Sequence, residues 1–178
     1  MAMVRPFVIQ LAGYQNSGKT TLAESLIRLL KEAGLDVASI KHHGHGGKPD
    51  IPAGKDSSRH ISAGAAAALV EGGGRLVLQA EKELWQLEDQ INLLSAFNPH
   101  VILIEGHKSA SYPKIILLRN AEEDKGLLEL ENIIAAVYWD VEPKVKAEYP
   151  FYPLLDKETP DYLAKLILGK IECQEPQK

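Results

Sequence analysis

The amino-acid sequence predicts an α/β fold with a mostly parallel sheet, helices on both faces and one β-hairpin. Three observations support this class: a buried strand runs directly into a glycine-rich loop, an amphipathic helix follows the loop, and later apolar strands alternate with helical segments. Parallel strands bring their carboxyl ends to one edge, where the ligands of such sheets bind. We therefore expect the functional residues to follow the strands.

The first predicted strand and helix flank the glycine-rich loop. Residues 7–12 are almost all apolar, which favours a buried strand, and they lie between Pro6 and Gly13. Apolar residues then recur at helical spacing over residues 22–33, and Gly34 follows where a helix usually ends. The segment therefore predicts a strand, a loop and a helix in succession.

The rest of the chain predicts further elements of both kinds. Two apolar runs around Gly72, Gly73 and Gly74 predict a hairpin with a glycine-built turn. Thr159 as N-cap and Pro160 at the first helical position predict the last helix. The predicted strands are residues 36–41, 101–104, 114–118 and 133–138, the hairpin strands are residues 66–70 and 76–78, and another helix covers residues 84–94.

The composition restricts the organisation and the surroundings of the chain. Its 178 residues, 45% hydrophobic, predict one domain over residues 1–171 and a polar C-terminal tail over residues 172–178. A net charge of −4 argues against a nucleic-acid binder, which needs a broad cationic surface. The longest uncharged apolar run, residues 61–70, is about half of a membrane-spanning helix, and the single Cys173 permits no internal disulfide. We expect a cytoplasmic protein without membrane contact.

Residues 13–20, Gly-Tyr-Gln-Asn-Ser-Gly-Lys-Thr, match the phosphate-loop (Walker A) pattern G-x-x-x-x-G-K-[ST] at every fixed position. Glycines let successive N–H groups point at one anion, and the following helix adds the positive end of its dipole. Lys19 is expected to reach the outer phosphates of a nucleotide, and the Thr20 hydroxyl is a suitable ligand for Mg²⁺. The expected fold is therefore P-loop NTPase-like, and the expected activity is nucleotide binding.

A P-loop protein needs a second carboxylate near the metal, at the end of a neighbouring apolar strand. Glu105 closes the apolar run 101–104 and fits this position, although a solvated carboxylate at a strand end is the alternative. Asp50 and Asp56 are further candidates for the metal or its waters. Each of these two aspartates is explained equally well as a turn residue or a helix cap.

The segment from Lys41 to His60 is basic in a chain that is acidic overall. It includes a long loop, residues 42–57, which we interpret as an ordered functional loop or a flap. The excess of positive charge suggests an anionic ligand or partner, although charge runs are usually solvated surface. A transition-metal site is an alternative for the histidines, but no cysteine accompanies them. The cationic or titratable residues are Lys41, His42, His43, His45, Lys48, Lys55, Arg59 and His60.

Three sequence blocks, in this order, resemble the MobB family, molybdopterin-guanine dinucleotide biosynthesis protein B. They are GYQNSGKTTL, then IKHHGH with GKDSSRHISAGA, then VILIEGHK. The resemblance covers roughly the whole chain, and its middle block is more specific than the phosphate loop. It implies a dimeric, GTP-binding accessory or adapter protein of molybdenum cofactor biosynthesis with at most slow GTPase activity. Its partner would be the guanylyltransferase that attaches GMP to molybdopterin.

The same resemblance assigns roles to individual residues. The loop and the first turn of the helix would hold the phosphates, Glu105 with Gly106 would form the second nucleotide motif, and a central block would contribute three more residues. One departure is that Asp50 is the first acid after His45, whereas the family carries several acids there. The candidate Mg²⁺ ligands are Thr20, Glu105 and Asp50. The candidate nucleotide-binding residues are Gly13, Gln15, Asn16, Ser17, Gly18, Lys19, Thr20, Thr21, Lys55, Asp56, Arg59, Glu105 and Gly106.

The sequence leaves the base and the rate of hydrolysis open. No N-K-x-D or T-K-x-D sequence occurs, so the common guanine-reading code is missing. We find no water-positioning Gln and no arginine finger, groups that accelerate hydrolysis by about 10³ to 10⁵. Slow hydrolysis is therefore expected.

Two other functions and one form of assembly remain as hypotheses. A small-molecule kinase or ATP-dependent ligase of the dethiobiotin-synthetase-like group would share the phosphate loop and a strand that ends in Glu-Gly. A metallochaperone would use the histidine-rich loop. The uncharged flank of the hairpin is suited to pairing with a second copy across a two-fold axis, although core packing explains it equally well.

Overall fold

The centre of the structure is a six-stranded sheet in which all neighbouring strands are parallel. The computed structural model describes residues 5–42, 47–48, 56–120 and 122–174. The elements in chain order are β1 (Phe7–Gly13), α1 (Lys19–Glu32), β2 (Val37–Lys41), α2 (Asp56–Ser62), β3 (Ala67–Gly72), β4 (Arg75–Ala80), α3 (Leu87–Ser95), β5 (Val101–Glu105), β6 (Lys114–Leu118), a 3-10 turn (Lys125–Leu127), β7 (Ile133–Tyr138), β8 (Phe151–Pro153) and α4 (Thr159–Gln174).

The strand order of the sheet is β2-β5-β1-β6-β7-β8. This confirms the predicted mostly parallel, P-loop NTPase-like sheet. β1 lies between β5 and β6, with Leu11 paired to Glu105 and Gly13 paired to Leu117. The register therefore brings the segments that follow β1, β5 and β6 to the same edge of the sheet.

One face of the sheet packs against α1 and α4. Side chains alternate along the strands, so Leu11, Leu103 and Leu117 share a buried cluster with Leu26 of α1 and Ile167 of α4. The intervening positions point to the opposite face. There a second buried cluster contains Ala12, Ile116, Leu118, Leu127 and Ala136.

The chain divides into two compact units, one formed by Met1–His42 with Gln90–Lys178 and the other by His43–Asp89. The second unit contains α2 and the hairpin of β3 and β4. Gly72 pairs with Arg75, which leaves Gly73 and Gly74 as a two-residue turn with φ values of 58° and 78°. Such a turn needs left-handed backbone at both positions, which glycine adopts without strain. The predicted glycine-built hairpin is confirmed.

Some element boundaries differ from those predicted. α2 begins within the predicted loop 42–57, and its sequence has no apolar stripe to indicate a helix. β8 has three residues, too few for a periodicity to be visible. The N-cap prediction for Thr159 is wrong by one position, because Thr159 is already helical and the Tyr162 N–H donates to the Glu158 carbonyl.

The C-terminal helix also extends further than the sequence suggested. α4 continues to Gln174 and so includes the first residues of the predicted polar tail, which are polar but helical. The prediction of a single domain over residues 1–171 stays a prediction.

Candidate phosphate-binding site

The phosphate-loop motif connects β1 to α1, and its backbone is unusual at two positions. Asn16 and Gly18 have positive φ values of 59° and 91°. A methyl group on Gly13 would lie 2.6 Å from Ser17 Oγ and 3.0 Å from the Leu117 carbonyl oxygen. The loop therefore folds back closely on itself and on β6, and this path requires glycine at position 13.

The first turn of α1 faces the loop without competing groups. Gly18 occupies the N-cap, makes no side-chain capping bond, and no acidic residue lies in the first turn. The first N–H groups of a helix have no partners within the helix and carry partial positive charge. This end of α1 is therefore suited to bind an anion.

Lys19 reaches back over the loop. Its Nζ donates to the Tyr14 carbonyl oxygen at 2.6 Å and lies 3.4 Å from Ser17 Oγ. Burial lowers the pKa of Lys19 below 10.5, nearby Lys41 lowers it further, and Glu105 opposes both effects. The ammonium group is thus held at the mouth of the loop by two oxygens that a phosphate would replace.

Thr20, Glu105 and Lys41 meet beside this loop. The Thr20 hydroxyl donates to Glu105 Oε1 at 2.8 Å, and Lys41 Nζ donates to Thr20 Oγ1 at 3.0 Å. Lys41 Nζ also lies 3.4 Å from Glu105 Oε1, and the Glu105 side chain is 14% exposed. A hydroxyl and a carboxylate are hard oxygen ligands, so the pair fits Mg²⁺, which would have to displace the Lys41 ammonium from them.

A buried side chain of β1 holds the turn after Glu105 through hydrogen bonds. Gln10 Nε2 donates to the carbonyl oxygens of His107 at 2.8 Å and of Gly106 at 3.3 Å, and Gln10 is fully buried. Gly106 has a φ of 104°, and a methyl group there would lie 3.0 Å from His42 Cβ. The buried amide therefore sets the direction in which the chain leaves Glu105.

His107 packs beside His42 in this turn. Their ring centroids are 4.6 Å apart, and His107 has a positive φ of 48°. Its Nε2 is buried and has no hydrogen-bond partner among the described residues. Burial lowers the pKa of His107 below 6.5, and the neighbouring His42 adds to this effect.

The structure brings together many, but not all, of the predicted site residues. The loop residues, Thr20, Thr21, Glu105 and Gly106 lie at one edge of the sheet, with Thr21 exposed in the first turn of α1. Asp56 and Arg59 lie in α2, in the second unit. Asp50, Lys55, His43 and His45 lie outside the described residues.

Three residues near the loop were not predicted as site residues. Lys41 pairs with Glu105 across β2 and β5, and its position at a strand end was the available signal. Gln10 is the single polar residue of the apolar run 7–12, and that interruption was the available signal. Trp139 follows β7, and its Nε1 donates to the Ser17 carbonyl oxygen at 3.0 Å.

A cavity of about 490 Å³ opens against the other side of the loop. Tyr14 and Gln15 of the loop line it together with the segments that follow β6 and β7. Within the described ranges, no cluster of three His, Cys, Asp or Glu side chains is arranged to hold a metal ion. None of the described helices combines the length and the apolar character needed to cross a membrane.

The parallel sheet, the closely folded glycine loop and the Thr20–Glu105 pair together define a P-loop NTPase-like protein. The family model for MobB, molybdopterin guanine dinucleotide synthesis protein B, matches residues 8–139. The chain belongs to the MobB family.

Individual relatives agree with this assignment. The chain is 44% identical over 140 residues to a Bacillus subtilis protein named "Probable molybdopterin-guanine dinucleotide biosynthesis adapter protein", covering 78% of this chain and 80% of that one. It is 34% identical over 138 residues to the Escherichia coli protein named "Molybdopterin-guanine dinucleotide biosynthesis adapter protein", covering 75% and 78%. The crystal structure of Bacillus subtilis MobB is similar with a TM-score of 0.75 at 37% identity, covering 89% of this chain and 96% of that one.

Proposed function

We propose that this protein binds GTP with Mg²⁺ and acts as an adapter in molybdenum cofactor biosynthesis, where it assists the attachment of GMP to molybdopterin. The proposal rests on the names of the relatives and on one observation. Thr20 and Glu105, from different elements, meet at 2.8 Å beside Lys19 at the mouth of the phosphate loop. A triphosphate and its metal need these groups in this arrangement.

Each group has a distinct role in binding. The N–H groups of the loop and of the first turn of α1 would surround the inner phosphates, and Lys19 would turn from the Tyr14 carbonyl to the outer ones. Thr20 and Glu105 would hold Mg²⁺, which neutralises phosphate charge when bound. Gln10 would keep the Glu105 turn in place.

Hydrolysis is expected to be slow and incidental. Glu105 Oε1 accepts from Thr20 and lies beside Lys41, so this carboxylate serves the metal position. A group that orients an attacking water was not found in the sequence, and such groups supply about 10³ to 10⁵ in rate. We expect turnover of GTP by the protein alone no faster than minutes.

The proposed partner is the molybdopterin guanylyltransferase. We propose that a homodimer of this chain binds it in the cytoplasm. Support for the dimer comes from the hairpin, where Leu69, Leu76 and Leu78 are 56%, 43% and 39% exposed. Leu69, Leu76 and Leu78 lie on the same face of the two-stranded sheet. A second copy would cover this apolar surface through a self-complementary contact.

The nucleotide proposal is tested by calorimetric titration of the full chain with GTP and with ATP, in the presence of Mg²⁺. We expect micromolar binding of GTP that is lost in Lys19→Ala and kept in the control Lys31→Ala, whose ammonium pairs with Asp36. Tighter binding of ATP, with ADP formed only when a small acceptor is added, would instead support a kinase or ligase. A pull-down of the guanylyltransferase with and without GTP tests the adapter role.

A further inference from the structure

The cavity beside the phosphate loop has the position expected for the base of a bound nucleotide. The candidate metal position lies between β1 and the β5–β2 side of the sheet, where Thr20 meets Glu105. The cavity lies on the β6–β7 side, lined by Tyr14, Gln15, Arg119 and Asp140 among others. A nucleotide whose outer phosphates lie at Lys19 and Thr20 would therefore extend its nucleoside toward this cavity.

We propose that the cavity is a guanine-binding site and that Asp140 accepts hydrogen bonds from the base. This proposal rests on the proposed function, because it assumes that the phosphate loop holds a nucleotide. The volume of the cavity, about 490 Å³, falls within the range of small-molecule sites. In this proposal, Asp140 is the base-reading group that the missing N-K-x-D sequence left unassigned.

Trp139 gives the cavity a fixed aromatic wall. Its indole N–H is tied to the Ser17 carbonyl oxygen at 3.0 Å, and its backbone N–H donates to the Leu118 carbonyl oxygen at 3.1 Å. The Arg119 guanidinium lies 6.0 Å from the ring centroid. Base–aromatic stacking tolerates every base, so Trp139 would contribute affinity without selecting guanine.

The loop after β6 is held in shape by its own side chains. Asp124 Oδ2 accepts from the backbone N–H groups of Arg119 at 2.6 Å and of Asn120 at 3.1 Å. Asn120 Oδ1 accepts from the backbone N–H of Glu122 at 3.0 Å. These side-chain oxygens therefore stabilise the loop that lines the cavity. They are already bonded to backbone N–H groups of that loop.

Asp140 differs from these two residues, and it differs from Glu123, another exposed carboxylate of the lining, because the residue before it is bonded to the phosphate loop. Its carboxylate is exposed and has no hydrogen bond or ion pair within the described part of the chain. It directly follows Trp139, whose backbone and side chain are both anchored, so its position relative to the loop is well defined. An anchored, unpaired carboxylate in a nucleoside-sized cavity is suited to read hydrogen-bond donors.

The chemistry of the bases then selects guanine. Guanine presents two adjacent donors, N1–H and the 2-amino group, which match the two oxygens of a carboxylate. Adenine presents the unprotonated N1 at the equivalent edge, and a carboxylate facing that lone pair is repelled. The site should therefore prefer GTP to ATP.

Asp140→Asn tests the assignment with titration of GTP, ATP and xanthosine triphosphate into the full chain. Loss of a charge-assisted pair of bonds should weaken GTP binding about 10- to 100-fold, whereas ATP binding should not weaken, because the variant removes the carboxylate that repels adenine N1. The asparagine amide can donate to the 2-oxo group of xanthine, so affinity for xanthosine triphosphate should rise. A misfolded variant cannot produce this gain. Glu142→Gln removes a nearby exposed carboxylate outside the cavity and should change none of the three affinities.

The outcomes separate this proposal from the one on which it rests. If Asp140→Asn keeps the preference of the unaltered protein for GTP over ATP, while Lys19→Ala abolishes binding, the guanine site is wrong and nucleotide binding stands. Equal affinity of the unaltered protein for GTP and ATP would also overturn the guanine site. If neither nucleotide binds to the unaltered protein, the proposed function itself fails.

Discussion

The Lys41 ammonium lies beside the two hydrogen-bonded oxygens that are expected to hold Mg²⁺. It lies 3.0 Å from Thr20 Oγ1 and 3.4 Å from Glu105 Oε1, and the Lys41 side chain is 62% exposed. An exposed ion pair of this kind contributes about 0.2–1 kcal/mol. Lys41 would therefore compete with a bound metal only weakly.

Lys41→Ala should lower the Mg²⁺ concentration that supports half-maximal GTP binding by up to about fivefold, because the metal no longer displaces a cation. Titration of Mg²⁺ at fixed GTP measures the effect. Lys31→Ala is the control, since Lys31 also forms an exposed ion pair, with Asp36 at 2.7 Å. A higher Mg²⁺ requirement in Lys41→Ala would show that Lys41 assists the metal.

His107 should make stability depend on pH. Burial keeps the pKa of the folded His107 below 6.5, so the unfolded chain binds its proton at higher pH than the folded chain does. The free energy of unfolding should therefore fall as pH drops below about 6.5, until the folded imidazole is also protonated. Above this window the contribution is fully present.

Urea unfolding at about pH 7.5 and about pH 5 checks this dependence. His107→Asn should remove the contribution of His107 to the pH dependence of the free energy of unfolding, because asparagine does not titrate. Asparagine also tolerates the positive φ of 48° at this position. His60→Asn, the same substitution at an exposed position of α2, is the control. A profile that is equally steep in His107→Asn would assign the dependence to other groups.

A site residue can be predicted from the sequence when the residues next to it in the chain already indicate its role. The phosphate loop is predictable because its eight positions are contiguous and each residue type has its own chemical reason. Glu105 is predictable because it ends an apolar run. Trp139 and Asp140 are not, because their proximity to the loop depends on strand order, which no local pattern contains.

At the scale of single elements, α4 contains one position that weakens it. Gly169 is exposed in the last part of the helix, and a methyl group there would meet nothing within 4 Å. Glycine in a helix costs about 0.5–1 kcal/mol relative to alanine, through backbone entropy. Gly169→Ala should therefore raise the free energy of unfolding by about this amount, as measured by urea denaturation.

Gly34 provides the contrasting control. It follows α1 with a φ of 87°, and its N–H donates to the Lys31 carbonyl oxygen at 3.0 Å. Gly34→Ala should destabilise by roughly 1 kcal/mol, because a side chain is strained in this conformation. Destabilisation by both substitutions would mean that α4 needs its glycine for packing.

Long periodic elements were predictable, and short or unpatterned ones were not. The strands Lys114–Leu118 and Ile133–Tyr138 have the predicted bounds, because each contains an uninterrupted run of apolar residues. β8 and α2 lack such a signal, as three residues carry no period and α2 is mostly polar. Tertiary contacts determine these two elements.

At the scale of the whole molecule, the exposed leucine face of the hairpin should determine the state of assembly. Leu69→Lys should convert the proposed dimer to a monomer, because a lysine charge would be buried in the contact. Sedimentation or light scattering at micromolar concentration measures the mass. Val141→Lys is the control, since Val141 is 69% exposed and lies in the other unit. A monomeric unaltered protein would remove the dimer proposal.

The bond from Trp139 to the Ser17 carbonyl also gives the molecule an internal optical probe. The chain has two tryptophans, Trp85 and Trp139, and the indole N–H of Trp139 is bonded to the phosphate loop. In a Trp85→Phe background, the tryptophan emission of the protein would come from a single indole whose N–H is bonded to that loop. Changes in its intensity or wavelength would then follow the filling of the loop in real time, without any label.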